Sequence, residues 1–95
     1  MITPVLESAT IEELVEGLRS DDRDLMEQSY REVIRRYSGM VMAIARRFTR
    51  DPTLADDVFQ ESFLRLFRNI DRLAEPKAFS GFFRRIILKI GRAHV

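Results

Sequence analysis

The chain has 95 residues, of which 45% are hydrophobic and 33% are charged, and its formal net charge is +1. This length suffices for one domain with one core, and the ordinary apolar share argues against disorder of the whole chain. Because it has no cysteine, no apolar run of the roughly 20 residues that a membrane span needs and no basic signal-peptide start, we expect a cytoplasmic protein without membrane insertion.

Helices are the predicted elements along the chain, because only four glycines and three prolines interrupt it and no strand-like alternation persists. Thr10 and Glu13 form a capping box that predicts a short helix to about Arg19. Residues 20–22 offer N-caps for a second helix. Its predicted buried stripe consists of Leu25, Met26, Tyr30, Val33, Ile34 and Tyr37. We expect Ser38-Gly39 to break or kink this helix, with the apolar periodicity continuing beyond the break.

A third helix is predicted from Pro52 to Asn69, because Asp51 can cap it and the first helical position needs no backbone donor. Its predicted inward stripe consists of Ala55, Val58, Phe59, Ser62, Phe63, Leu66 and Ile70. Residues 71–77 are predicted to form a loop closed by Pro76. A last helix follows, with an apolar side made of Phe79, Phe82, Phe83, Ile86, Ile87 and Ile90. The sequence therefore predicts an all-α bundle of about four to five helices.

Charge is divided unevenly along the chain. Residues 1–34 contain nine acidic and three basic residues, a net charge of −6, so the remainder carries +7. This asymmetry indicates either attraction of the basic part to a polyanion or a solvated charged face. The acidity of residues 1–20 could shield the basic surface, but we expect these residues to form a solvated extension.

Five residues of the third helix share one face roughly opposite its apolar stripe, because they follow one another at three- and four-residue spacing. They are Asp57, Gln60, Glu61, Leu64 and Arg68. One interpretation is an ordinary solvated surface. The alternative is a docking face, on which the exposed Leu64 anchors a basic partner and the surrounding charges steer it.

The segment from Ala55 to Leu64, with the sequence ADDVFQESFL, resembles the region 2 signature of bacterial sigma factors, especially the small extracytoplasmic-function type. Residues 37–48 and 79–87 resemble the flanking helices of that region. The resemblance covers about residues 22–89. It implies a helical domain that helps RNA polymerase to recognise promoters in transcription initiation.

In this family the signature helix docks on the arginine-rich clamp coiled coil in the largest subunit of core RNA polymerase. The polymerase-binding residues predicted from the resemblance and the shared face are Asp57, Gln60, Glu61, Leu64 and Arg68. The resemblance also implies a core position for Phe63. Carboxylates make directional, charge-assisted hydrogen bonds with guanidinium groups, which agrees with this division. An anti-sigma factor is a further expected partner, because such proteins often compete for this surface.

The family uses the loop after this helix, together with the last helix, to capture the single-stranded non-template strand of the −10 promoter element. Such a site needs an aromatic or apolar pocket for a flipped base, polar groups for its edge and cations for the phosphates. The predicted DNA-binding residues of suitable type are Asn69, Arg72, Lys77, Phe79, Arg84, Arg85 and Lys89. For Phe79, a core position is the preferred alternative.

The last helix departs from the family pattern in two ways. Phe82-Phe83 stands where the family typically has tryptophan-leucine, which preserves a bulky buried position. After Ile87 the family's asparagine, aspartate and arginine positions are absent. Residues 90–95 are predicted to be a non-native tail, because one reading frame of a common sequencing adapter translates to the same hexapeptide. A C-terminal helix-turn-helix domain for the −35 element would then be missing. The alternative is a genuine frayed terminus.

The predicted organisation has three parts: an acidic N-terminal extension with a short helix over residues 1–20, a sigma region 2-like domain over residues 21–89, and the tail. No catalytic residue, metal ligand or cofactor is predicted, since the chain lacks cysteine and a glycine-rich phosphate loop and has one histidine. One alternative is a helical protein–protein adaptor that binds a basic partner through the Asp57–Leu64 face without DNA. Another is a purely structural helical module. Salt-dependent binding of single-stranded promoter DNA separates these interpretations.

Overall fold

Four α-helices form the structure, a computed structural model that describes residues 4–94. They are α1 (Ile11–Leu18), α2 (Arg23–Phe48), α3 (Pro52–Arg68) and α4 (Phe79–His94), and short 3-10 turns lie at Pro4–Ser8, Ile70–Arg72 and Pro76–Ala78. The predicted all-α bundle is confirmed. Residues 1–3 of the predicted extension and Val95 of the predicted tail lie outside the described residues. Between residues 4 and 94, no helix is long and apolar enough to cross a membrane.

The starts of the helices follow from their capping residues. The Thr10 hydroxyl accepts a hydrogen bond from the Glu13 backbone N–H at 3.1 Å, and the Glu13 carboxylate accepts one from the Thr10 N–H at 2.8 Å. This pair confirms the predicted capping box of α1. The carboxylates of Asp22 and Asp51 cap α2 and α3 in the same manner, by accepting backbone N–H groups that the first helical turn leaves without partners.

Of the predicted break or kink at Ser38-Gly39, the break is wrong, because α2 runs without interruption for 26 residues. The Ser38 hydroxyl donates a hydrogen bond to the Ile34 carbonyl one turn earlier, and Ser38 remains part of the helix. Gly39 is exposed, and a glycine in a helix interior costs only about 1 kcal/mol. The packing of α2 against the other three helices outweighs that cost.

α2 is the central helix, and it packs against α1, α3 and α4. The most deeply buried apolar residues are Leu14, Val15, Val33, Val41, Ala45, Val58, Leu66, Phe79, Phe83, Ile87 and Ile90. The predicted inward stripe of α3 is buried, except that Phe59 is half-buried. The predicted stripe of α2 is wrong at two positions, because Leu25 and Ile34 remain 38% and 37% exposed. Ser29 and Glu32 are buried instead.

The packing of α1 explains why Ser29 and Glu32 are buried. It also contradicts the expectation that residues 1–20 form a solvated extension. α1 packs along α2 and buries Leu14, Val15 and Leu18 in the common core. Gly17 lies directly against Ser29, so the two helices approach closely at this point. The acidic residues of α1, Glu12, Glu13 and Glu16, remain exposed on its other side.

We expect Gly17→Ala to lower the free energy of unfolding by about 1–3 kcal/mol, the usual cost of overpacking a close contact. A Cβ at Gly17 would lie 1.9 Å from the Ser29 Oγ and 2.9 Å from the Ser29 Cβ. Gly39→Ala is the matched control, because a Cβ there meets nothing within 4 Å and should stabilise the helix. Urea unfolding measures the free energy of unfolding of both variants. Adding Ser29→Gly to Gly17→Ala should restore part of the lost stability, because it removes the side chain that the new Cβ meets. Equal effects of the two alanine substitutions would contradict the close approach.

A buried carboxylate, Glu32, fastens the first 3-10 turn to α2. It accepts hydrogen bonds from Arg35 Nη2 and Arg36 Nε, each at 2.6 Å. Arg36 Nη2 in turn donates to the Leu6 and Glu7 carbonyls, each at 3.1 Å. The hydrogen bond from Arg35 is the main reason that the pKa of Glu32 lies below its ordinary value, and the bond from Arg36 acts in the same direction against the opposing effect of burial.

Glu32→Gln is therefore expected to destabilise the fold near neutral pH by about 1.5–3 kcal/mol, the scale of a hydrogen bond to a charged group. Since the pKa is lower in the folded state, the carboxylate stabilises the fold above its ordinary pKa of 4.5 and loses this effect as the pH falls through the lower folded value. Urea unfolding at about pH 7 and about pH 3 measures the difference. Glu27→Gln, an exposed substitution on α2, is the control. A defect that is independent of pH would contradict this role.

Candidate functional site

The outer face of α3 brings together the five residues predicted to bind polymerase. Asp57, Gln60, Leu64 and Arg68 are exposed, and Glu61 is half-buried. Leu64 is 56% exposed, whereas most large apolar residues of the described chain are buried or half-buried. The inner side of α3 packs on α2 and α4, so the face presents two carboxylates around an exposed leucine. We call this surface the α3 docking face.

Glu61 of the docking face lies close to two basic side chains. Its carboxylate lies 2.9 Å from Arg65 Nη2 and 4.0 Å from His94 Nε2. The side chains of Glu61 and Arg65 are 42% and 43% exposed, and such pairs contribute about 0–1 kcal/mol. A cation from a partner can replace Arg65 at little cost. Among the described residues, Asp57 has no ion-pair partner.

An apolar groove borders the docking face between α2 and α3, with a volume of about 590 Å³. It is lined by Glu27, Tyr30, Arg31, Ile34, Phe59, Gln60, Phe63, Leu64 and Phe67. The rings of Tyr30 and Phe67 meet edge to face, with centroids 3.7 Å apart, and form part of its floor. Gln60 and Leu64 belong to both surfaces, so a partner seated on the docking face also reaches apolar area.

A second groove contains a concentration of positive charge. It has a volume of about 620 Å³ and is lined by Arg65, Asn69, Arg72, Phe82, Arg85, Ile86, Lys89 and Arg92. Five of these residues are cationic, and within residues 4–94 only Arg65 has an ion-pair partner. Uncompensated cations beside apolar walls attract polyanions and leave room for flat apolar groups. We call this surface the basic groove.

The chain between α3 and α4 supplies one wall of the basic groove and is well anchored. Asn69 ends α3, and its Nδ2 donates to the Arg65 carbonyl at 2.8 Å. The Arg72 N–H donates to the Asn69 carbonyl at 2.9 Å. Ile70 and Leu73 point into the core and are 6% and 4% exposed. Asn69 and Arg72 are therefore held at the groove by a turn whose apolar residues are fixed beneath it.

The structure brings together four of the residues predicted to bind DNA and leaves three outside. Asn69, Arg72, Arg85 and Lys89 all line the basic groove. The other three predicted residues, Lys77, Arg84 and Phe79, do not. Lys77 and Arg84 are exposed elsewhere, and Arg84 points about 100° away from Arg85 because the two are neighbours on a helix.

Phe79 requires a correction as a DNA-binding residue. Its side chain is only 1% exposed, and its ring packs against Tyr37 and Phe83 with centroids 5.1 Å and 6.0 Å apart. It therefore offers no surface on which a base could stack. The half-exposed ring at the groove is Phe82, which the sequence interpretation treated as part of a buried pair. Phe83 alone fills the buried position.

Four groove residues were missed, namely Phe82, Ile86, Arg65 and Arg92. The available signal was helical spacing, because Phe82, Arg85, Lys89 and Arg92 recur at three- and four-residue steps along α4. Arg65 gave no such signal, since it belongs to another helix and joins the groove only through packing. No group of three or more histidine, aspartate or glutamate side chains in the described chain could hold a metal ion.

Comparison with known proteins adds a family assignment to this geometry. Residues 33–90 match the family described as Sigma-70 region 2. The chain is 32% identical over 66 residues to the probable RNA polymerase sigma factor RfaY of Xanthomonas campestris pv. campestris. That alignment covers 70% of this chain but only 16% of the relative. No solved structure matches the chain.

Proposed function

Because this chain belongs to the sigma-70 region 2 family, we propose that it acts in transcription initiation by docking on core RNA polymerase and binding the single-stranded −10 promoter element. One observation carries the proposal: α3 separates an acidic face with an exposed leucine from a groove with five cations. A protein that bridges a basic protein surface and a nucleic acid needs two surfaces of this opposite chemistry.

The α3 docking face is the proposed polymerase contact. Asp57 and Glu61 offer carboxylates to the guanidinium groups of a basic coiled coil, while Leu64 supplies apolar contact at the centre. Gln60 adds a polar edge toward the apolar groove, and Arg68 lies on the last turn of α3. Competition by an anti-sigma factor for the same face is part of this proposal.

The basic groove is the proposed DNA contact. Arg72, Arg85 and Lys89 are suited to phosphates, which supply affinity without sequence choice. The Oδ1 of Asn69 can accept a hydrogen bond from the edge of a base, and the half-exposed ring of Phe82 can stack on the face of that base. Lys77 and Arg84 lie outside the groove and are proposed only as outer contacts to the DNA backbone.

The adaptor alternative uses the docking face in the same way but gives no role to the basic groove. A chain that binds only a protein partner has no need for a groove in which four cations lack an ion-pair partner within residues 4–94 and surround a half-exposed ring. The proposed domain at residues 21–89 and the proposed non-native tail at residues 90–95 are compatible with either function. Structurally, α4 runs through Ile90 and Gly91 to His94, with Ile90 buried.

Retention of a labelled single-stranded DNA by core RNA polymerase tests the proposal. The probe is a mixed-sequence 20-mer, and free and bound DNA are separated by native electrophoresis. We expect polymerase to retain the DNA more strongly when the chain is present, with steep loss as salt concentration rises. A chain that binds polymerase without increasing DNA retention would contradict the DNA role and favour the adaptor.

A further inference from the structure

Arg19, at the end of α1, reaches across the molecule to the turn between α3 and α4. Its Nη2 donates to the Ile70 carbonyl at 2.8 Å and also to the Leu73 carbonyl. Its Nε lies 3.7 Å from the Asp71 carboxylate. These contacts join residues that are more than fifty positions apart in the sequence.

The two carbonyls bracket the 3-10 turn that carries Asp71 and Arg72. The Ile70 carbonyl also accepts the Leu73 N–H at 3.1 Å, so Arg19 adds a donor to the closing bond of the turn. The guanidinium group suits this position, because Nη2 carries two N–H groups and can donate to both carbonyls while the side chain remains charged. Hydrogen bonds from a charged donor are roughly twice as strong as neutral ones.

The turn is consequently held from two sides. Ile70 and Leu73 anchor it in the core, and Arg19 fixes their carbonyls from the side of α1. Asn69 and Arg72, on this same turn, line the basic groove, whereas Arg19 does not. Any effect of Arg19 on a ligand in the groove must therefore come from the position of the turn or from the charge of Arg19 acting at a distance.

We propose that Arg19 is a positioning residue that makes α1 part of the nucleic-acid site, by holding the turn that presents Asn69 and Arg72. This inference rests on the proposed function of the basic groove. It assigns a role to the N-terminal helix beyond its burial of core area. The ion pair of Arg19 with Asp71 is secondary to the hydrogen bonds that Arg19 donates to the turn, because the Asp71 side chain is 88% exposed and the pair is weakened by solvent.

The test compares Arg19→Met and Arg19→Lys with the parent chain. The probe is the mixed-sequence single-stranded 20-mer, and binding is measured by fluorescence anisotropy at several salt concentrations. We expect Arg19→Met to weaken binding about five- to tenfold, the scale of one lost charge-assisted contact. Arg19→Lys keeps the charge, but its shorter side chain does not carry its nitrogen to the position of Arg19 Nη2, so it should show most of the same loss. Arg23→Met, an equal charge change on an exposed residue of α2, should bind nearly as well as the parent.

Two further readouts separate positioning from direct contact. The slope of log affinity against log salt should stay unchanged in Arg19→Met, whereas loss of a phosphate contact would reduce it by about 0.7. In an Arg72→Met background, Arg19→Met should cause much less additional loss, because both substitutions act through one turn. Amide hydrogen exchange at Arg72 and Leu73 should quicken in Arg19→Met, while the core amides of α2 keep their protection.

The outcomes distinguish this inference from the function on which it rests. A parent chain that fails to bind the DNA contradicts the proposed function and, with it, the DNA role of Arg19. If the parent binds, three results would overturn the inference alone. They are unchanged amide hydrogen exchange of the turn in Arg19→Met, a full additional loss of DNA affinity in the Arg72→Met background, and a reduced slope of log affinity against log salt. Loss of α2 protection would mean that Arg19 acts on the whole fold, which also overturns it.

Discussion

The combined substitutions Asp57→Arg and Leu64→Ala are expected to weaken binding to core RNA polymerase at least about 100-fold. An arginine at position 57 would face a basic partner with like charge, which costs several kcal/mol when the charges are close. Leu64 is the exposed apolar centre of the docking face, and truncation of such an anchor costs about 2 kcal/mol. Both residues are accessible, so the fold should survive their replacement.

Asp21→Arg combined with Leu25→Ala is the matched control for this pair. Both control residues are exposed and lie outside the α3 docking face, and the changes in charge and size are the same. Surface plasmon resonance with immobilised core polymerase measures the three chains. An equal loss of binding in the control would show that charge and solubility, rather than the docking face, govern the interaction.

Arg85→Glu combined with Lys89→Glu is expected to weaken binding of the single-stranded 20-mer about 100-fold at low salt. The two residues line the basic groove and have no ion-pair partner in residues 4–94, so their charge is fully available to phosphates. Removal of two phosphate contacts should also reduce the salt slope by about 1.4. Polymerase binding should be nearly unchanged, because neither residue lies on the docking face.

Two comparisons make this prediction specific to the groove. Arg46→Glu combined with Arg47→Glu reverses two exposed charges near the end of α2 and should reduce affinity far less. Arg84→Glu compared with Arg85→Glu tests neighbouring residues of α4, only one of which lines the groove. Equal losses at positions 84 and 85 would mean that DNA follows the whole outer side of α4.

α3 is shared by the two proposed activities, and the Glu61–Arg65 ion pair links them. Glu61 belongs to the docking face, and Arg65 lines the basic groove. A partner cation that engages Glu61 would release Arg65 from its only described carboxylate partner. Docking of polymerase is in this way expected to raise the positive charge available to DNA, although the half-exposed pair limits the size of the effect.

The helices and the docking face could be predicted from the sequence because they depend on local chemistry. The capping box at Thr10 and Glu13 and the Asp51-Pro52 start are recognised from spacing alone, and they appear as predicted. The outward direction of Asp57 and Leu64 follows from helical periodicity once the inward stripe of α3 is known. These features need no knowledge of how distant segments meet.

The remaining features depend on packing between segments that are far apart in the sequence. The buried face of α2 includes Ser29 and Glu32 because α1 and the turn before it cover them, which an apolar pattern cannot indicate. The choice between Phe79 and Phe82 depends on the rotation of α4, and that rotation follows from the packing of Phe79 and Phe83 against Tyr37. The contacts of Arg19 with the turn give no sequence signal at all.

Direct titration of core RNA polymerase with the fluorescently labelled chain measures the proposed docking. We expect saturable one-to-one binding that weakens with salt and that excess unlabelled parent chain reverses, whereas the Asp57→Arg, Leu64→Ala chain should not compete at the same concentration. Absence of binding by a chain whose circular dichroism shows intact helices would contradict the assignment of the α3 docking face to polymerase.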